Sequence, residues 1–335
     1  MDRGIEMFIG SRKAKDIGIC MLVTAVYLVI GCRLINASIW VDEAFTLELI
    51  QHDYLDIIRL TATDVHPPLY YLICKFSVSL FTWICPNLNV VVIAKWVSYM
   101  PFVIGVMVCT YVVRKELGRL YCGAYLLFIL IMPEMLHYSY EIRMYSYGMI
   151  FVLCAYISSK PLIVDKSVFN KSWSIFIIWS LLAAYTHYYA CVAVAFLYLI
   201  LLVSSFRSRE RKNLRTCIKY TGITIVCYLP WLNIVIKTLK RVSESFHISE
   251  LTWRTVLGYF MYIVRPVVSN RQLGYGVVVI IYMFISVLCM RMIAKVRSGG
   301  GGGGYDMETG GYWDQLLGYR CWSARVIDCQ TTILA

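Results

Sequence analysis

Apolar residues in this chain come in long blocks, separated by short stretches that carry nearly all of the charge. Eight blocks are long enough, or nearly so, to cross the roughly 30 Å hydrocarbon core of a bilayer as helices. They cover residues 17–35, 90–113, 120–136, 144–158, 172–186, 188–205, 217–236 and 273–290. The pattern predicts an all-α polytopic membrane protein with about eight transmembrane helices. A further block, 67–85, is short, holds Lys75 near its centre and directly follows an acidic stretch.

Loop charges decide whether that block crosses the membrane. Lysine and arginine accumulate on the cytoplasmic side of membrane proteins. If 67–85 lies along the membrane, 18 basic residues share one face, contributed by the N-terminus and by clusters at 114–119, 160–171, 207–215 and 291–297. The opposite face then holds nine. If 67–85 crosses, the N-terminal cluster and all the later ones face opposite sides. The sequence therefore predicts a multi-pass protein of the cell membrane with both termini cytoplasmic. Its first external loop, 37–89, carries two interfacial helices. One is 67–85. The other is expected over 43–60, where Leu47, Ile50, Tyr54, Ile57 and Ile58 share one side at helical spacing.

Composition supports the membrane class. Hydrophobic residues make up 59% of the 335 and charged residues 16%, against about 45–50% and 25% in soluble domains. The net charge of +12 is accounted for by cytoplasmic loops and requires no nucleic acid. The 13 cysteines show no metal-ligand spacing and mostly sit inside apolar blocks, where a thiol behaves as a small hydrophobe. No glycine-rich phosphate loop is present, so no nucleotide cofactor is expected. Residues 1–16 read as a cytoplasmic N-terminus and 17–297 as the membrane module. Residues 298–304 form a glycine linker, and 305–335 a tail with no span and no clear period.

Charges beside a bilayer are costly unless they bind or react. Asp42 and Glu43 stand just past the first block, and Asp64-Val65-His66-Pro67-Pro68-Leu69-Tyr70-Tyr71 opens the 67–85 block. A residue before proline is held extended, so Asp64 and His66, two apart, are expected to point the same way. Proline suits the first turn of the helix that follows. The third block ends in Met132-Pro133-Glu134-Met135-Leu136-His137-Tyr138-Ser139-Tyr140-Glu141-Ile142-Arg143-Met144-Tyr145. Arg143 there offers the planar fork that grips two phosphate oxygens. Lys95-Trp96-Val97-Ser98 lies near the start of the second block, and His187 at the turn between the fifth and sixth. Plainer readings stand beside these. Asp42 and Glu43 suit the first turn of a helix, Asp64 and His66 shape a turn, Arg143 pairs with Glu141, and His187 is an interfacial polar residue.

In these phrases the chain resembles the membrane glycosyltransferases that use polyprenyl-phosphate sugars, among them the dolichyl-phosphate-mannose–protein mannosyltransferases and the lipid A aminoarabinose transferases. Members carry an acidic pair just outside the first transmembrane helix. Bacterial members often show a phrase like Asp-x-His-Pro-Pro-Leu-Tyr-Tyr, and Tyr-Ser-x-Glu-x-Arg-x-Tyr at the outer end of the third span. The resemblance covers about residues 15–290 and is strongest over 38–145. It implies a GT-C-like module, with the family's usual C-terminal part missing here.

The implied activity moves a sugar from a polyprenyl-phosphate donor to a protein, lipid or glycan hydroxyl on the outer face. Asp42 is then the general base and Glu43 its neighbour in the acidic pair. Arg143, Lys95, Glu141 and His187 are the expected donor-phosphate residues, although Lys95 stands where the family has arginine and lacks its fork. Asp64 and His66 are candidates for a divalent metal ion or for the donor phosphate, since His66 matches a metal-binding glutamate of the aminoarabinose transferases. Two other readings stay open. A transporter or flippase of lipid-linked sugars needs charge near mid-span, whereas Arg33, Lys95, Glu134 and Lys219 fall near span ends. A non-catalytic fragment of such an enzyme is the other.

Overall fold

The computed structural model describes residues 2–64, 66–164, 170–207, 211–245 and 271–297, with isolated positions between 252 and 258. Among the described residues are twelve α-helices and no strand. They are α1 (Asp2–Leu34), α2 (Val41–Leu49), α3 (Tyr54–Thr61), α4 (Leu69–Ile84), α5 (Val90–Glu116), α6 (Arg119–Ile131), α7 (Pro133–Tyr140), α8 (Tyr145–Val164), α9 (Asn170–Ala184), α10 (Tyr188–Arg207), α11 (Arg211–Ser245) and α12 (Arg271–Arg297). The linker at 298–304 and the tail at 305–335 lie outside the described residues.

Five stretches are long and apolar enough to cross a membrane: Asp16–Leu34, Val90–Glu116, Tyr145–Ile163, Tyr188–Arg207 and Arg211–Thr238. α6 and α7 supply a sixth if the pair counts as one bent span. Leu69–Ile84, Lys171–Ala184 and Tyr275–Arg291 are apolar but shorter. Large apolar side chains such as Met21, Val29, Phe196 and Val226 are exposed on the spanning helices. Apolar surface of that kind suits a lipid surround.

Two elements differ from the sequence reading. The helix expected over 43–60 is two helices, α2 and α3: α2 ends at its C-cap Ile50, and the chain passes through extended backbone at Asp53 before α3 begins. Ile50 and Ile57 are buried as expected, but Tyr54 and Ile58 are exposed. The loop between α1 and α5 thus holds three short helices. The block 120–136 is also broken, at Met132, and its halves α6 and α7 meet at 70°. Pro133 begins α7, where its missing N–H costs nothing, whereas within a continuous helix its ring would clash with the preceding turn. The charge inside α4 has a partner as well. The Lys75 ammonium donates to the Ile50 carbonyl at 3.1 Å and lies over the Tyr54 ring. A cation at a helix C-terminus is favourable, and this one ties α4 to the joint between α2 and α3.

α5 is the central strut and packs on α1, α4, α6, α7 and α8. It crosses α1 closely at Gly31, where a methyl group would overlap the Tyr99 ring. The Tyr99 hydroxyl donates to the Tyr27 carbonyl at 2.7 Å. Tyr27, Tyr99, Phe102, Val103, Val106 and Ile129 form the core there. A second core gathers Leu49, Ile57, Tyr70, Tyr71, Ile93 and Ile142, so α2, α3, α4 and the α7–α8 turn are one packed unit with the start of α5. A third core fills the space among α8, α9, α10 and α11.

Candidate functional site

The site forms where four chain segments converge: the start of α2, the turn before α4, the α7–α8 turn and the α9–α10 turn. Glu43 makes the first junction. One carboxylate oxygen accepts the Trp40 N–H at 3.1 Å, within its own helix start, and the other accepts the Ile142 N–H at 2.9 Å. The side chain is 2% exposed. Its two oxygens are committed to the backbone, so Glu43 holds α2 to the α7–α8 turn and is a positioning residue. That turn is tight: the Arg143 N–H donates to the Glu141 carbonyl at 2.7 Å, a three-residue closure that aims the Arg143 side chain back at α2.

Arg143, 4% exposed, lies at the centre. Nη1 donates to the Asp42 main-chain carbonyl and to the Tyr71 hydroxyl, each at 3.4 Å. Nη2 lies 3.8 Å from Asp42 Oδ2. Nη2 is also 3.5 and 3.4 Å from the Nδ1 and Nε2 of His66. Near-equal distances to both ring nitrogens place the guanidinium against the ring rather than in line with either lone pair. Burial opposes the arginine charge, but Tyr71, Asp42 and Tyr145 outweigh it and raise its pKa above the ordinary guanidinium value. The Asp42 side chain is 44% exposed, so its carboxylate is open to an incoming molecule while its main chain is locked.

The His66 and Asp64 side chains meet, with Nδ1 to Oδ2 at 3.6 Å. The Leu69 N–H donates to the Tyr185 carbonyl at 3.1 Å. That bond docks the start of α4 on the end of α9 and brings the His66 and His187 rings to 6.0 Å. His187 Nδ1 accepts the Tyr189 N–H at 3.1 Å, and burial, followed by the charges of His66 and Arg143, lowers its pKa to about 4. Near pH 7 it is neutral, with its proton on Nε2, and serves as a hydrogen-bond donor without charge.

Two expected phosphate residues are turned elsewhere. Lys95 is fully buried, its ammonium donates to the Ala37 carbonyl, and it sits 5.8 Å from the centre of the Tyr140 ring. It ties α5 to the end of α1 and is not presented to a ligand. Glu141, 3% exposed, has one oxygen 3.2 Å from His137 Nε2 and the other without a hydrogen bond among the described residues. Burial, then the Glu43 carboxylate, raises its pKa to about 7. The sequence reading gave no role to Tyr71 or Tyr145, though both stand in the phrases it singled out.

A divalent ion does not fit Asp64 and His66 as arranged. Among the described residues no third His, Cys, Asp or Glu joins them, and a guanidinium already lies within 3.5 Å of both imidazole nitrogens. Its repulsion of a dication there amounts to several kcal/mol, on the order of what an effective dielectric of about 20 allows.

A cavity of about 720 Å³ opens beside these groups. His66, His187, Tyr138 and Tyr145 line one part of it, and Phe102, Met149, Val152 and Ala193 are among its apolar walls. A polar end with a greasy continuation suits an amphiphile. Comparison of the chain with protein-family models, with curated proteins and with solved structures finds no match.

Proposed function

We propose that the chain is an integral-membrane glycosyltransferase, a GT-C-like module of eight spans, that moves a sugar from a polyprenyl-phosphate carrier to a hydroxyl of a protein, lipid or glycan. The observation that carries this reading is the exposed Asp42 carboxylate 3.8 Å from buried Arg143, beside a cavity that is polar at one end and apolar along its walls. α9 and α12, with their shorter apolar stretches, complete the eight. α4 lies along the outer membrane surface, with Lys75 bound to Ile50.

In the reaction, the acceptor oxygen bonds to the anomeric carbon as the bond from that carbon to the phosphate oxygen breaks. The configuration inverts. The acceptor proton passes to Asp42, a positioned base. The leaving group is a phosphate monoester that needs no proton from an acid. Arg143 balances its growing negative charge, the electrostatic part of the catalysis. Tyr71, kept protonated by burial, and neutral His187 add uncharged donors.

The test offers the purified full-length chain, in lipid, a panel of polyprenyl-phosphate sugars and follows release of the lipid phosphate. Release that is lost in Asp42→Asn supports the reading. Binding of donors without any release would favour a carrier of lipid-linked sugars, and failure to bind any of them removes both.

A further inference from the structure

A second polar cleft lies at the far end of α5. That helix has 27 residues, about 40 Å at 1.5 Å per residue. Lys95, near its start, bonds to the Ala37 carbonyl just ahead of α2. The cleft lies at its other end, where Gly18, Ile19 and Leu22 of α1, Arg114 of α5 and Arg119 of α6 line a cavity of about 480 Å³. The Arg114 side chain is 11% exposed, and its Nε donates to Asp16. Among the described residues its two terminal nitrogens donate no hydrogen bond. Arg119 is exposed, makes no ion pair among the described residues and is the first residue of α6, whose first turn has no acidic side chain. Asp16 cancels one of the two charges, which leaves the cleft positive.

We infer that this cleft binds the headgroup of an anionic glycerophospholipid. The phosphate sits between Arg114 and Arg119, and an acyl chain runs along Ile19 and Leu22. Leu22 and Met21 are exposed, so the apolar wall continues onto the surface of a helix long enough to cross a membrane. Basic pockets between membrane helices hold acidic headgroups in this way. A free anion would use the arginines and leave the apolar wall unused, which is why a lipid is the better match. Gly18 leaves the cleft open: a side chain built there meets nothing within 4 Å.

The experiment purifies the full-length chain in a neutral detergent and measures binding of phosphatidylglycerol, phosphatidylcholine and inorganic phosphate by native mass spectrometry and by shift of the thermal midpoint. Phosphatidylglycerol should bind in preference to phosphatidylcholine and raise the midpoint, while inorganic phosphate should do neither. Arg119→Ala should weaken phosphatidylglycerol binding about fivefold, as expected for one basic residue near a headgroup. Gly18→Leu, which fills the cleft without changing charge, should abolish the preference and keep the lipid-free midpoint. Lys115→Ala removes an equal charge outside the cleft and should change binding much less than Arg119→Ala. Equal losses in Arg119→Ala and Lys115→Ala would overturn the site in favour of diffuse attraction. Equal binding of phosphatidylcholine, full protection by inorganic phosphate, or an unchanged preference in Gly18→Leu would each overturn it as well.

Discussion

The Glu43 carboxylate accepts the Ile142 amide N–H at 2.9 Å across 99 positions of chain. This contact fixes the α7–α8 turn against α2, and through it Arg143 against Asp42. Glu43→Gln leaves only one good acceptor where two N–H groups need one, so a hydrogen bond to a charged group is lost, at about 1.5–3 kcal/mol. The variant should melt at a lower temperature and show a raised KM for donor. An unchanged thermal midpoint would mean that the clasp contributes nothing to the fold.

Asp42 calls for a different outcome. Its side chain is partly exposed, so Asp42→Asn should fold normally. With the base gone, transfer should fall by about 10²–10⁴ and donor binding should persist. A helix-capping role predicts instead a loss of ~1 kcal/mol of stability with turnover per folded molecule retained. Transfer and donor binding measured on the same preparation separate the two.

Arg143→Lys keeps the charge but loses the fork that reaches Asp42 and Tyr71 together. Donor binding and transfer should both weaken in this variant, and Arg143→Ala should be worse in both. Titration with a non-transferable polyprenyl-phosphate analogue reads the binding part directly. Wild-type affinity in the lysine variant would remove the clamp from the mechanism.

Glu141 supplies a pH dependence. Its carboxyl is raised to about 7 by burial and by Glu43, with Arg143 acting the other way and Asp42 and Glu134 adding to the rise. The proposed donor is a phosphodiester whose single negative charge does not change between pH 6 and 8, so any change in its binding would come from the protein. Below about 7 Glu141 is neutral and offsets none of the Arg143 charge, which then faces the Asp42 carboxylate alone. Above it, the carboxylate offsets part of that charge, and donor affinity should fall as pH rises from 6 to 8. The folded state also favours the protonated form, so stability is greatest below the unfolded value near 4.5 and is lost as pH rises through 7. Glu141→Gln should flatten both profiles. A slope that survives the substitution assigns the effect to another group.

The proposed orientation rests on the loop charges. A reporter fused after Lys115 or Arg211 should respond as cytoplasmic, and one inserted near Gln51 as external. An external response at Lys115 would make α4 a span and reverse the placement of the site.

Parts of this arrangement were readable in the sequence because they rest on local chemistry. Long apolar blocks set the helices, and Asp64 and His66, singled out together, have side chains 3.6 Å apart. What escaped were contacts to backbone atoms. The partners of Glu43 are the Trp40 and Ile142 N–H groups, and that of Lys95 is the Ala37 carbonyl. Every residue offers such groups, so no residue type announces them, and both side chains read as site residues when they act as ties. The break between α2 and α3 was hidden for another reason: Ile50 and Ile57 keep a common buried side across it. His187 reaches His66 only because the Leu69 N–H meets the Tyr185 carbonyl, a docking that spacing along the chain does not encode.

The 70° bend between α6 and α7 has a consequence for how molecules arrive. Breaking a helix frees carbonyls of the preceding turn from their partners, and in hydrocarbon each unsatisfied group costs several kcal/mol. Such a break is tolerated beside water or protein, and in the proposed site the bend at Met132 is where hydration would reach inward along this wall. The cavity lined by Met135, Tyr138 and Ser139 of α7 would then border a wet side as well as a greasy one. In the proposed reaction the two substrates need not compete for one doorway: the lipid-borne sugar slides in laterally from the bilayer, while a water-borne acceptor descends along the bend to Asp42.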